Sequence, residues 1–147
     1  KWGIWYILIT DKTNKINKII MKIKKKLLIL GFYSANIILI IFYLYPGSIF
    51  GHVLYGDSSI QPQLMRDFIV SSNHLYAFII LSFFGVVAYQ KTQKINFVII
   101  YLFILSIILE LFHTIIPARE FEWADLFGNI LGVFIVIIIY KIKNKYA

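Results

Sequence analysis

The chain has 147 residues, of which 60% are hydrophobic and 15% are charged, and it carries a formal net charge of +8 and no cysteine. A soluble domain averages about 45–50% apolar and about 25% charged residues, so this composition excludes an ordinary water-soluble globule. The absence of cysteine excludes disulfide frameworks, thiol catalysis and cysteine-ligated metals. The apolar residues fall in long uncharged blocks, which predicts a small integral membrane protein.

The N-terminal segment, residues 1–26, is basic and contains an apolar run that is too short to cross a bilayer. We expect this segment to be an interfacial or disordered tail beside anionic lipid. Met21 and the lysines that follow it are also typical of the start of a membrane protein. Residues 1–20 are therefore an upstream extension in the alternative interpretation.

Four membrane helices are predicted after that segment, each about 20 residues long and able to cross a hydrocarbon core of about 30 Å. Their approximate bounds are 27–45, 68–89, 95–116 and 123–140. Turn-forming and apolar residues alternate between the first two helices, so part of this loop is expected on the membrane surface. The predicted fold is an all-α, four-helix membrane bundle, with residues 27–147 as one membrane domain.

The basic residues predict the orientation of this bundle, because Lys and Arg near span ends are retained on the cytoplasmic side. Every lysine precedes the first span, lies between the second and third spans, or follows the fourth. Arg66 and Arg119 lie on the opposite side with most of the acidic residues. Both termini are therefore expected in the cytoplasm, and the net charge needs no nucleic-acid partner.

Polar residues inside the spans are the informative ones, because a charged group at mid-depth costs about 3 kcal/mol. The candidates are His74, Glu110, His113, Asp125 and Asn129. Glu110 and His113 share one helical face at i and i+3, and Asp125 and Asn129 share another at i and i+4. All five are expected near the external ends of their helices, which predicts a narrow polar pocket beneath the external loops.

Two further features support this pocket. Gly128 and Gly132 form a small-xxx-small pair beside Asn129, which predicts close packing against another helix. Arg119 lies in the loop between the third and fourth spans, within expected reach of Asp125, Glu110 or an anionic ligand.

Structural roles compete with functional ones at these positions. His74 and Asn129 are suited to interhelical hydrogen bonds, and Asp125 is suited to cap its helix or to interact with the helix dipole. Arg119 has acidic neighbours in its own loop with which it can pair, among them Glu122.

A metal site is a weaker possibility for the third span. Glu110 and His113 have the Glu-x-x-His spacing of carboxylate-bridged metal helices. A single such pair has low specificity, so no metal and no cofactor is assigned from the sequence.

The polar pattern resembles the VanZ-like family. That family's signature is a helix ending in Glu-Leu-x-Gln, then Pro-x-Arg, then Asp-x-x-x-Asn-x-x-Gly. The corresponding residues here are Glu110-Leu111-Phe112-His113, Pro117-Ala118-Arg119, and Asp125, Asn129 and Gly132. The upstream segment Asn73 to Phe78 also fits, and the resemblance covers about residues 22–143. The sequence departs from the pattern at Val70, where the family commonly has Asp, and at His113, where it commonly has Gln.

The resemblance implies a multi-pass protein of the bacterial plasma membrane and cell envelope. The founding member is associated with low-level resistance to the glycopeptide teicoplanin. Our first hypothesis is a non-enzymatic protein that binds an anionic lipid, a lipid-linked wall precursor or a glycopeptide. The predicted ligand-binding residues are Arg119, Glu110, His74, Asp125 and Asn129.

The alternative hypothesis is a membrane enzyme acting on a lipid-linked substrate at the outer leaflet. In that case His74 or His113 is the general base, Glu110 or Asp125 orients it, and Arg119 stabilises developing negative charge. A third hypothesis, which we rank last, is a purely structural subunit whose polar residues hold the helices together.

Overall fold

A computed structural model describes residues 2–67 and 69–146 of the chain, with side chains from Thr10 onward. These residues form five helices and no strand: α1 (Trp2–Leu44), α2 (Ile49–Tyr55), α3 (Ser72–Tyr89), α4 (Ile95–Phe112) and α5 (Trp123–Tyr146). In this described part of the chain, α1, α3, α4 and α5 are long and apolar enough to cross a membrane. The predicted all-α fold with four apolar spans is therefore confirmed.

Helix α1 is longer than the predicted first span. It continues without a break for 43 residues, or about 65 Å, which is roughly twice the thickness of the hydrocarbon core. No proline or glycine interrupts residues 4–30, so the helix extends through the basic segment. This segment is thus helical, whereas the sequence predicted either an interfacial or a disordered tail. Its side chains from 10 to 27 are exposed, and its place at the membrane surface stays a prediction.

Helix α4 ends at Phe112, before the predicted end of the third span at residue 116. The chain tightens there into i to i+3 hydrogen bonds, with the Thr114 amide donating to the Leu111 carbonyl at 3.2 Å. The Thr114 hydroxyl donates to the same carbonyl at 2.8 Å and competes with continued helix. Glu110 consequently lies in the last turn of α4.

Two further differences from the predicted spans, at the start of α3 and in α2, also result from hydrogen bonds between nearby residues. Helix α3 begins at Ser72, later than predicted, and the Ser72 amide donates to Asp67 Oδ1 at 2.7 Å, which satisfies a free N–H at the helix start. The short helix α2 was not predicted. Ser48 caps its start by accepting from the Gly51 amide at 3.0 Å, and Gly56 ends it with φ 71°.

Helices α3 and α5 approach each other closely at two glycines. A Cβ placed on Gly132 would lie 2.6 Å from the Leu75 carbonyl oxygen, and one on Gly128 would lie 2.9 Å from the Ser71 carbonyl oxygen. The backbones therefore touch where any larger residue would separate them. This contact brings His74 of α3 against the start of α5.

Candidate functional site

A group of polar side chains lies at one end of the bundle, where α1 and α4 end and α3 and α5 begin. We call it the polar cluster, and its members are Tyr43, His74, Glu110, His113, Asp125 and Asn129. All of them are buried except Asp125, which is partly exposed. Four different helices thus contribute to one polar site inside an apolar bundle.

His74 contacts a carboxylate at each of its ring nitrogens. Its Nδ1 lies 3.5 Å from Glu110 Oε2, and its Nε2 lies 3.2 Å from Asp125 Oδ2. The Tyr43 hydroxyl oxygen is also 3.0 Å from Nδ1. A neutral imidazole has only one N–H, and an ionised carboxylate only accepts hydrogen bonds. The site therefore holds more acceptors around His74 than a neutral ring can satisfy.

Glu110 is the most buried acid of the cluster, with an exposed fraction of 0%. Its Oε1 accepts a hydrogen bond from the Glu122 amide at 3.2 Å and lies 3.3 Å from His113 Nδ1. The Asn129 amide group donates to Oε2 at 3.5 Å. Among the described residues, no lysine or arginine forms an ion pair with Glu110 or Asp125, and both acids are paired with histidine.

Tyr43 connects α1 to the other three long helices. Its hydroxyl donates to Asn129 Oδ1 at 2.5 Å, and its carbonyl accepts from His113 Nε2 at 3.2 Å. Asn129 is fixed in this orientation because its amide nitrogen donates to the Ser106 carbonyl at 3.3 Å. Sequence reasoning missed Tyr43. The available signal was its place one turn before Pro46, in the same layer as His74.

Arg119 lies beside the polar cluster and makes no ion pair with an acid in the described part of the chain. Its Nη2 donates to the Phe42 carbonyl at 3.2 Å and its Nε to the Tyr45 carbonyl at 3.4 Å, so it satisfies carbonyls at the end of α1. Ala118 holds the preceding turn with φ 57°, a conformation that is unfavourable for alanine.

In the loop between α4 and α5, burial and neighbouring acids shift the pKa values of two side chains. Burial lowers the pKa of the Arg119 guanidinium, against the opposing effect of Asp125. Repulsion from Asp125 raises the pKa of the Glu122 carboxyl, with a smaller contribution from burial. The loop therefore brings one partly desolvated cation next to a region rich in carboxylates.

A cavity of about 670 Å³ opens between α1 and α3 next to the polar cluster. Its walls are mainly apolar and include Ala35, Ile38, Leu39, Phe42, Ala77, Ile80 and Leu81, and α2 and residues 61–64 also contribute to the lining. Its polar lining includes Tyr43, His74, His113 and Arg119. The cavity has the size of a small-molecule site, about 300–1,000 Å³, and its lining is amphipathic.

The structure thus brings His74, Glu110, Asp125 and Asn129 together, as the sequence predicted. It places Arg119 at the cavity, bonded to backbone carbonyls. Asp67, the acid nearest the position where the resembled family has Asp, does not join the cluster: it bonds to Gln63 at 2.7 Å and to the start of α3.

Metal ligation has two sets of candidate residues. Glu110 and His113, the pair suggested by spacing, contact each other through Oε1 and Nδ1 at 3.3 Å. His74, Glu110 and Asp125 form another set, whose ligand atoms all lie within 4.8 Å of one another.

Fold and site together define a multi-span helical membrane protein with a buried polar cluster at one end. The sequence matches the VanZ/LLP1 family over residues 5–144, nearly the whole chain. The chain therefore belongs to this family, and the resemblance noted from its motifs is confirmed. Neither curated proteins nor solved structures give a match to the chain.

Proposed function

We propose that this protein binds an anionic amphiphile of the bacterial cell envelope in the cavity between α1 and α3. The observation that carries the proposal is the cavity's lining, which joins long apolar walls to a polar region with a cation. A hydrocarbon chain fits the walls because burying apolar surface is favourable at about 25 cal/mol per Å². The headgroup then lies beside Arg119 and His74.

Arg119 is the group that favours an anionic headgroup. Only its Nε and Nη2 bond to the end of α1, so Nη1 has no hydrogen-bond partner among the described residues. A guanidinium in a partly desolvated site binds phosphate through parallel N–H groups. We place this end of the bundle on the outer face of the plasma membrane, in keeping with the lysines at the opposite end.

A phospholipid and a lipid-linked wall precursor share the chemistry that this site recognises, a phosphate joined to a long apolar chain. Native mass spectrometry of the full chain, purified in mild detergent from bacterial membranes, separates the two by mass. We expect one bound amphiphile per chain. Arg119→Gln should reduce its occupancy about tenfold or more, as expected for a desolvated charge pair.

Arg66→Gln is the matched control, because Arg66 is exposed and is absent from the cavity lining. It should leave occupancy unchanged. Equal occupancy in the unaltered protein and in Arg119→Gln would contradict the proposal, as would equal losses in both arginine variants.

We also propose that amphiphile binding by this protein contributes to glycopeptide resistance in the cell. Expression of the chain in a teicoplanin-sensitive bacterium should raise the inhibitory concentration of teicoplanin, and Arg119→Gln should abolish the increase at equal protein level. An unchanged inhibitory concentration with the unaltered protein would argue against resistance while leaving lipid binding to the mass-spectrometric test.

The contact between His74 and Asp125 favours one second candidate, an enzyme acting on a lipid-linked substrate. His74 lines the cavity, and the Asp125 carboxylate, 3.2 Å from His74 Nε2, is placed to stabilise the imidazolium that forms when His74 accepts a proton. Purified protein should then convert a lipid-linked precursor, and His74→Ala should abolish turnover. His52→Ala is the control, because His52 lies on α2 and is exposed.

A further inference from the structure

We propose that His74, Glu110 and Asp125 bind one divalent transition-metal ion. The inference goes beyond amphiphile binding and does not depend on it. The three residues come from α3, α4 and α5, and their ligand atoms lie within 4.8 Å of one another. Imidazole and carboxylate are the ligands that Zn²⁺ and Mn²⁺ accept in proteins.

The hydrogen-bond network leaves two acceptors facing each other. Asn129 donates through its nitrogen to Ser106, so its Oδ1 takes the Tyr43 hydroxyl proton, and the Tyr43 oxygen accepts from His74 Nδ1. A neutral His74 then has a bare lone pair on Nε2. That lone pair lies 3.2 Å from Asp125 Oδ2, so the contact is favourable only with a proton or a metal ion between or beside the two atoms.

The charges point to a divalent ion. Glu110 is fully buried and Asp125 mostly so, and neither has a lysine or arginine partner among the described residues. Carboxylates that lie in an apolar bundle with only histidine as a partner carry a large desolvation cost. One divalent cation compensates both negative charges.

The distance between His74 Nε2 and Asp125 Oδ2 is close to that between two ligand atoms of one ion. Donor atoms about 2.0–2.2 Å from a tetrahedral ion lie about 3.3–3.6 Å apart, and His74 lies 3.5 Å and 3.2 Å from its two carboxylates. The Glu110 contact uses the other ring nitrogen, so an ion bound through His74 Nε2 requires the Glu110 carboxylate, which has an oxygen within 4.8 Å of the other ligand atoms, to move closer.

Neighbouring groups hold the proposed ligands in place. His74 Nδ1 is bonded to Tyr43, and Glu110 Oε1 is held by the Glu122 amide and His113. Such outer contacts orient metal ligands and leave the ligating atoms free. The remaining ligand atoms are His74 Nε2, which faces Asp125, and Glu110 Oε2, whose contacts with Asn129 and His74 are both long at 3.5 Å.

The test is calorimetric titration of the full chain in detergent after chelator treatment, with Zn²⁺, Mn²⁺ and Mg²⁺ as separate probes. We expect one equivalent of Zn²⁺ or Mn²⁺ to bind, more tightly than Mg²⁺. Asp125→Asn and His74→Ala should weaken binding by about 100-fold or more, since loss of an outer contact alone costs about 10–100-fold. His52→Ala should bind as the unaltered chain does.

A spectrum of the unaltered chain loaded with Co²⁺ gives a second measurement that needs no variant. Intense visible bands of low-symmetry Co²⁺ are expected, whereas the spectrum of hydrated Co²⁺ would overturn the proposal. Failure of both Zn²⁺ and Mn²⁺ to bind stoichiometrically, or equal binding by Asp125→Asn, would overturn it as well.

No lipid enters the titration, so a negative result leaves amphiphile binding untouched. A positive one makes His74 a ligand and excludes it as a general base.

Discussion

At the scale of single residues, Tyr43 is the side chain through which α1 joins the polar cluster. Tyr43→Phe removes its hydroxyl and leaves the buried Asn129 oxygen without its donor. We expect a loss of about 0.5–2 kcal/mol in the free energy of unfolding, the range for one interhelical hydrogen bond in a membrane protein. Unfolding in mixed detergent, followed by circular dichroism, measures it.

Tyr33→Phe provides the comparison for that prediction. The Tyr33 hydroxyl bonds to Tyr89 at 3.2 Å on the exposed surface, so its removal leaves no buried group unsatisfied. If Tyr33→Phe lowered the free energy of unfolding as much as Tyr43→Phe, burial of the hydrogen bond between Tyr43 and Asn129 would contribute nothing to stability.

Tyr43 also shows the limit of sequence reasoning at the scale of single residues. Glu110, Asp125 and Asn129 were predictable because acids and amides inside apolar spans are costly and stand out. Tyr43 was not, since tyrosine near a span end is common at membrane interfaces. The Glu122 contact could not be predicted either, because it uses a backbone amide that every residue other than proline has.

At the scale of helices, the contact between α3 and α5 depends on Gly132. In Gly132→Ala the new methyl group would meet the Leu75 carbonyl oxygen at 2.6 Å, and backbone cannot rotate away as a side chain does. We expect a loss of about 1–3 kcal/mol in the free energy of unfolding, as for other overpacked cores. The same detergent unfolding measures this loss.

Gly31→Ala is the control for that variant. A Cβ at Gly31 would lie 3.2 Å from the Phe84 ring, which can shift, and alanine favours the helix by about 1 kcal/mol over glycine. Gly31→Ala should therefore be neutral or stabilising. Equal destabilisation by both variants would contradict a special role for the α3–α5 contact.

Helix ends were the least predictable feature of the elements. Hydropathy located all four spans because it measures the apolar content of a segment. It could not show that α1 continues through the lysines, because lysine favours helix as well as water. It could not show that α4 stops at Phe112, because that end depends on hydrogen bonds made by Thr114.

At the scale of the whole molecule, the cavity and the cluster depend on how four helices are arranged, and no local pattern encodes this. The spacing of Glu110 and His113 predicted a shared face on α4. It did not predict that α1 and α3 would enclose a cavity whose lining includes His74 and Arg119. Packing of distant segments, such as Tyr43 with Asn129, decides that arrangement.

The distribution of charge over the molecule leads to a prediction about its orientation. Lys91 and Lys94 lie at the turn between α3 and α4, opposite the end that carries Arg119 and the polar cluster. Since the chain contains no cysteine, single-cysteine variants label without background. In intact cells we expect a membrane-impermeant maleimide to label Ser59→Cys and not Gln93→Cys, because lysine-flanked turns stay in the cytoplasm. Gln93→Cys should label once the membrane is permeabilised. The reverse pattern would place the polar cluster on the cytoplasmic face, where outer-leaflet precursors and external glycopeptides do not reach it.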